Sequence, residues 1–378
     1  MNQAELQTRL TRLLSYLNAD SNNFALLSDA SDLSLQLGDW PTATDLVIRA
    51  LAIQPADVVM RYRMALILLN ERRSTESLVI TQALIDAGEA APAIQFAHGR
   101  GLVIAHRFDE AEPVLGALLP DVAAYPSLPH LYMRTLHFLG RVEDAIAFAA
   151  TYLDTHPDDA MAQGMLSLLH LDNDDIAAAE VFSAKALARS PNNLDALLTA
   201  GSVALAYDRA TQAKAHFDHV LSLQGNSGRA WAGVGLVSML ATDLPSARDS
   251  LEKAVAYMPS HLGTQNALAW VQILQQDYAA ARKTLEASLA LDRNFSETHG
   301  TLAVLATYEG QWEQARRSAE IAVRLQPLSF SGRYAHSLIL HHAGDEKAGQ
   351  AMVKSVTDQV QVPGGGSLSD MLRRVTRR

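Results

Sequence analysis

Cysteine is missing from this 378-residue chain, so disulfides, thiolate metal ligands and cysteine nucleophiles are excluded. Positive charge is in short supply. The 31 Lys and Arg stand against 41 Asp and Glu, a formal net charge of −10. That balance argues against broad neutralisation of phosphates, and no nucleic-acid partner is expected. No run of about 18 apolar residues occurs, so no membrane-spanning helix is expected. The opening stretch MNQAELQTRLTRLLSYLNADS scatters Glu5, Arg9 and Arg12 and has neither an apolar core nor a small-residue cleavage site. It does not read as a secretory signal, which makes a cytoplasmic location the default expectation. Hydrophobic residues make up 48% of the chain, enough to build a buried core.

What the chain does have is a period. GDWPTATDLVIRALAIQP at 38–55 and GQWEQARRSAEIAVRLQP at 310–327 share one pattern, and their starts are 272 residues apart, eight times 34. Stepping by 34 from Ala43 gives Ala43, Ser77, Ala111, Ala145, Ala179, Ala213, Ala247, Ala281, Ala315 and Gly349, all small. Stepping from Pro55 meets Pro55, Pro157, Pro191, Pro259 and Pro327, five of only 13 prolines. A third column is small except at Met133: Ser31, Ala65, Gly99, Met133, Ser167, Gly201, Gly235, Ala269, Ala303 and Ser337. A repeat at fixed spacing implies stacked supersecondary units.

With the proline at position 32, ten units tile residues 24–363, from 24–57 in steps of 34 to 330–363. Each reads as two helices, over positions 1–14 and 17–30. The turn between them carries Gly38, Gly140, Gly310 and Gly344, suited to a left-handed helix end. Asp39, Asp175, Asp243, Asp277 and Asp345 follow as N-caps, and the proline stops the second helix. Pro113, Pro120, Pro126 and Pro129 crowd one stretch, where a kinked helix or irregular turn is expected. Residues 1–23 place Leu6, Leu10, Leu13, Leu14 and Leu17 on one face, a helix that covers the first unit. Residues 364–378 read as a glycine linker and a short basic amphipathic tail.

The small residues at positions 8, 20 and 27, the large residues at position 17 (Trp40, Phe108, Tyr278, Trp312) and the proline at 32 resemble the tetratricopeptide repeat family. The resemblance implies an all-α right-handed superhelical solenoid of about ten 34-residue helix-turn-helix repeats. One such unit cannot bury its apolar face alone, so neighbours must share it.

Strings that suggest chemistry fit the repeat better. Gly233-x-Gly235 lies in a small-residue column with no strand before it. The Ser250-x-x-Lys253 spacing falls inside a second helix without partner motifs. The run DNDD at 172–175 lacks the glycine and glutamate of a calcium loop. His216 and His219, and His341 and His342, are pairs rather than metal sites. Neither a catalytic site nor a cofactor is expected.

The resemblance also implies that first helices line a concave face that receives peptides or helices of partner proteins. Units 2 to 4 would present Tyr62, Arg63, Phe96, Arg100, His130, Arg134 and His137 there, aromatic and cationic groups suited to an acidic segment. Units 7 to 9 would present Ala232, Gly233, Leu236, Asn266, Trp270 and Thr301, an apolar strip with one amide to grip backbone. The expected function is a non-catalytic interaction scaffold or adaptor. The alternatives are an accessory subunit of bacterial envelope assembly (secretion, pilus or exopolysaccharide), on family analogy alone, and a ligand- or peptide-sensing regulator.

Overall fold

The structure, a computed structural model, describes residues 2–359, so the expected linker and tail at 364–378 lie outside the described residues. The regular elements among the described residues are all helical. The chain divides into two compact units, Met1–His156 and Pro157–Arg378.

The first unit opens with α1 (Gln3–Ala19), followed by the pairs α2 (Phe24–Leu37) with α3 (Trp40–Ile53) and α4 (Val58–Asn70) with α5 (Ser74–Asp86). Then come α6 (Pro92–Ile104) with α7 (Phe108–Ala117), and α8 (Leu128–Phe138) with α9 (Val142–Thr155). Asn2 and Glu5 form a reciprocal capping box at the start of α1. Leu10, Leu13 and Leu17 of that helix are buried in one cluster with Leu27, Leu46 and Met60. The proline-crowded stretch breaks the pattern as its composition predicts. Pro113 sits inside a short α7, and a 3-10 turn over Leu119–Ala124 replaces the end of the second helix.

The second unit repeats the pairing more regularly. Its helices are α10 (Ala160–Asp172), α11 (Ile176–Arg189), α12 (Leu194–Ala206), α13 (Ala210–Leu223), α14 (Gly228–Leu240) and α15 (Leu244–Tyr257). They continue with α16 (Leu262–Leu274), α17 (Tyr278–Leu291), α18 (Ser296–Tyr308), α19 (Trp312–Leu325), α20 (Phe330–His342) and α21 (Glu346–Gln359). Each first helix packs on its own second helix and on the neighbouring pair.

The small columns are the seams between these helices. From Ala43 to Ala315 every member of the first column is completely buried, and Gly349 is buried as well. The column from Ser31 to Ser337 is buried throughout. Ser77 adds a polar stitch, its hydroxyl donating to the Ala65 carbonyl at 2.9 Å across its own helix pair. At this range a larger side chain would force the helices apart.

The turns follow one backbone solution. Gly38, Gly140, Gly310 and Gly344 have φ between 72° and 86°, and Arg72, His106, Asp174, Asp208, Thr242 and Gln276 take the same left-handed conformation at 57° to 63°. These ten positions are spaced by 34. The six without glycine show that the fold imposes the turn where the local sequence does not ask for it.

Asp39, Asp175, Asp243, Asp277 and Asp345 all cap the following helix through backbone N–H groups three residues on. Where the same position holds Arg73, Arg107 or Arg141, the carboxylate moves to the third helical residue and pairs back to the arginine. Either arrangement leaves negative charge at the helix N-terminus.

Two further devices recur at constant register. In the second unit the fourth residue of a first helix donates to the carbonyl six residues earlier, in the turn that precedes it. Gln163, Trp231, Gln265 and His299 do so to Pro157, Gly225, Pro259 and Arg293, at 2.5–2.9 Å. Ion pairs 29 residues apart tie successive second helices: Glu112 to Arg141 in the first unit, Glu180 to Arg209 and Asp277 to Arg248 in the second. The sign of each end is exchangeable, the register is not.

Candidate functional site

In the first unit, α4 and α6 bring part of the expected aromatic and cationic set together. Phe96 and Arg100 are one helical turn apart on α6, and the guanidinium stands 5.9 Å from the Phe96 ring centre. Tyr125, which closes the 3-10 turn, tilts against Phe96 with ring centres 4.6 Å apart. Tyr62 of α4 feels the charges of both Tyr125 and Arg100. Burial is the main reason its hydroxyl is pushed above the usual tyrosine range. All four side chains are half-buried.

Arg63 does not join them. Its guanidinium donates to the Ser28 carbonyl at 2.6 Å, to the Ser31 hydroxyl at 2.9 Å and to Asp32 at 3.0 Å. Only 13% of the side chain is exposed, so Arg63 is a strut between α2 and α4 rather than a ligand group. His130 and Tyr152 meet edge to face, and the His137 ring lies against Phe138. Arg134 shares α8 with both histidines and is half-buried.

In the second unit, Trp270 reaches across α18. Its indole N–H donates to the Ser331 hydroxyl at 3.2 Å, and its ring centre lies 5.8 Å from that of Tyr334. Phe330 stacks parallel to Tyr334, and burial together with Tyr308 raises the Tyr334 hydroxyl above its ordinary pKa. Asn266 is turned inward. Its amide donates to the Leu262 carbonyl and the Thr298 hydroxyl, while Oδ1 is buried without a partner. It fastens α16 to α18 instead of offering an exposed amide. Gly233 is also internal, because a β-carbon there would meet the Phe217 ring at 2.4 Å. Thr301 is buried, hydrogen-bonded to the Ser331 hydroxyl.

Large apolar side chains stand exposed instead at the last residue of three successive first helices: Leu240 at 40%, Leu274 at 47% and Tyr308 at 48%. Leu236, one turn before Leu240, is exposed too. A second exposed row, Leu223, Tyr257, Leu291 and Leu325, ends the second helices of the same unit. Sequence reasoning did not single out the first row, because position 13 mixes polar residues (Gln36, Asn70, Asp172, His342) with apolar ones along the chain. It missed Tyr125 because that residue lies in the stretch where the period fails.

Among the described residues, no group of three or more His, Asp or Glu side chains could hold a metal. Nor is any described helix long and apolar enough to cross a membrane. The DNDD run is a turn: Asp174 is left-handed, Asp175 caps α11 and Asp172 pairs with Arg229.

Models of the tetratricopeptide repeat match residues 136–193 and 238–305. The BBSome complex member bbs-4 of Caenorhabditis elegans is 27% identical over 139 residues, which span 37% of this chain and 30% of that protein. Among solved structures, the human IFIT1 dimer with PPP-AAAA aligns at a TM-score of 0.55 and 13% identity, over 94% of this chain and 93% of that one. The human IFIT1 dimer with m7Gppp-AAAA aligns at 0.54 and 12%, over 94% of each chain. At such identities the likeness is one of fold. It nevertheless corrects the expectation that nucleic acid is excluded. Chains of this fold hold RNA in human IFIT1, and a net charge of −10 averages over a surface whose local sign can differ.

Proposed function

Because the chain belongs to the tetratricopeptide-repeat family, we propose that it is a non-catalytic scaffold that holds a segment of a partner protein along its first helices. In this reading it works in the cytoplasm. The observation that carries it is the row Leu240, Leu274 and Tyr308. Three large side chains are exposed at constant register on consecutive first helices, although Tyr308 also stacks on Tyr278. Neighbouring packed helices lie roughly 8–10 Å apart, so the row offers anchor points at regular intervals to a peptide or helix laid across it.

The test uses the intact chain and a display library of random 12-residue peptides. Selected peptides are expected to lose binding when Leu240, Leu274 and Tyr308 are changed together to Ser. They should keep it when Leu223, Leu291 and Leu325 at the other row are changed to Ser. Equal binding by both variants removes the reading.

A second reading, a fixed subunit of a larger assembly, is favoured by the likeness to bbs-4, which is a member of a complex. Co-purification separates the two. A fixed subunit stays in a stoichiometric complex through high salt and dilution, whereas a scaffold exchanges its segment.

A further inference from the structure

We propose that, within the first unit, Arg100 is a subsite for one side-chain carboxylate of a partner segment received by the first helices α4 and α6, with the Tyr62 hydroxyl as a second donor and Phe96, backed by Tyr125, as a wall. The subsite rests on the reading that first helices receive a partner segment, and it names the chemistry that segment must carry.

Arg100 is marked by what its neighbours leave undone. A guanidinium carries five N–H donors and no acceptor. In the same unit Arg49, Arg63, Arg73, Arg107 and Arg141 each hold an aspartate or glutamate, while Arg9, Arg12, Arg61, Arg72 and Arg100 hold none from a described residue. Of these Arg9, Arg12 and Arg72 are exposed, and Arg100 is the one set against an aromatic ring. Arg100 is half-buried and lies against the Phe96 face, with no carboxylate from any described residue. The Tyr62 hydroxyl, held in the same cluster, also donates to no described residue. A tyrosine hydroxyl is protonated and able to donate at neutral pH, and burial pushes the Tyr62 pKa further up.

The aromatic walls decide how much such a group is worth. Phe96 faces the guanidinium and Tyr125 packs against Phe96, and this aromatic surface lowers the local dielectric and strengthens a bond to an incoming anion. The planar fork of arginine matches a carboxylate with two parallel N–H···O bonds, and a cation on an aromatic face is already oriented. One fixed positive charge beside a neutral hydroxyl balances one negative charge. A dianionic phosphate would leave charge uncompensated. The aromatic surface around the cation favours an apolar residue next to the acid.

The experiment selects random 12-residue peptides on the intact chain, then on Arg100→Gln, Arg100→Lys and Tyr62→Phe. The wild type is expected to enrich Asp or Glu at one position beside an apolar residue. Arg100→Gln should lose that preference and bind a selected acidic peptide at least tenfold more weakly. The same peptide with Gln in place of the acid should bind wild type and Arg100→Gln alike. Arg100→Lys should recover only part of the loss, and Tyr62→Phe should weaken binding about threefold. Melting temperature should not fall in Arg100→Gln, whose guanidinium holds no described carboxylate.

An unchanged acid preference in Arg100→Gln overturns the proposal. So does binding of a 5′-triphosphate RNA that falls with Arg100→Gln when no acidic peptide is selected. Selected peptides that depend on Leu240, Leu274 and Tyr308 but show no acid preference sink the subsite and leave the scaffold standing. A library that yields no peptide at all removes both.

Discussion

Gly201 on α12 lies so close to Phe217 on α13 that a β-carbon at Gly201 would stand 2.6 Å from the ring. Gly233 on α14 crowds the opposite edge of the same ring at 2.4 Å. Phe217, the largest of the fully buried side chains, is therefore clasped between two helix backbones. Replacing a helical glycine by alanine ordinarily stabilises a helix by about 1 kcal/mol. Overpacking costs roughly 1–3 kcal/mol, and a ring held from both sides has nowhere to move. Gly201→Ala and Gly233→Ala are each expected to destabilise the protein by up to about 2 kcal/mol in urea denaturation. Phe217→Leu in the Gly201→Ala background should recover part of that loss.

The left-handed turns give the opposite sign. Thr242 holds φ at 60°, where a β-branched side chain is most strained, while Gly310 takes 73° at the same register without cost. Thr242→Gly is expected to stabilise by up to about 1 kcal/mol, and Gly310→Ala to destabilise by a similar amount. Thermal melting of the two variants reads both. A fall in melting temperature for Thr242→Gly would mean that the hydroxyl, which donates to the Ala241 carbonyl, outweighs the backbone strain.

Arg63 and Arg100 should separate stability from binding. Arg63→Ala removes donors from the Ser28 carbonyl, the Ser31 hydroxyl and Asp32, and leaves a buried hydroxyl with one partner fewer. A loss of about 1–3 kcal/mol in denaturant titration follows. Arg63→Lys should recover only part of the loss, because one ammonium nitrogen cannot stand both where one guanidinium nitrogen meets Ser28 and Ser31 and where the other meets Asp32.

Acid should weaken the fold in two windows. Burial is the first cause holding His98, His216, His261 and His336 below the ordinary histidine pKa of 6.5. A base whose folded pKa is depressed binds its proton more readily when unfolded. Its contribution is present above about pH 6.5 and is lost as pH falls through the folded value. Asp243 and Asp277 are depressed below 3.8, by the Ser246 hydrogen bonds and by the Ala280 N–H with Arg248 respectively. Their contribution is kept above pH 3.8 and is lost only in the lower window. Melting temperature is therefore expected to drop first below about pH 6.5. His98→Gln, which can still meet the Thr81 hydroxyl now 2.8 Å from the His98 ring, should flatten that first step. An unchanged slope in this variant would rule His98 out as a contributor.

The candidate site was only partly legible from the chain. Tyr62, Phe96 and Arg100 stand on first helices where the period puts them, and the structure gathers them. Arg63, one residue from Tyr62, could not be told from a ligand group by spacing, because its partners Ser28, Ser31 and Asp32 lie more than 30 residues earlier. Asn266 read as an exposed amide until Thr298 was seen to take its donor.

The sequence alone determined the helix pairs, their small-residue seams, the four glycine turns and the five aspartate caps. Each depends on backbone conformation or side-chain size at one position, and a constraint repeated every 34 residues stands out from composition. Only the tertiary structure decided which cations are already spent on the fold, and that Tyr125 completes the aromatic wall. A side chain's partner is chosen by packing across neighbouring repeats, at distances that local pattern does not encode.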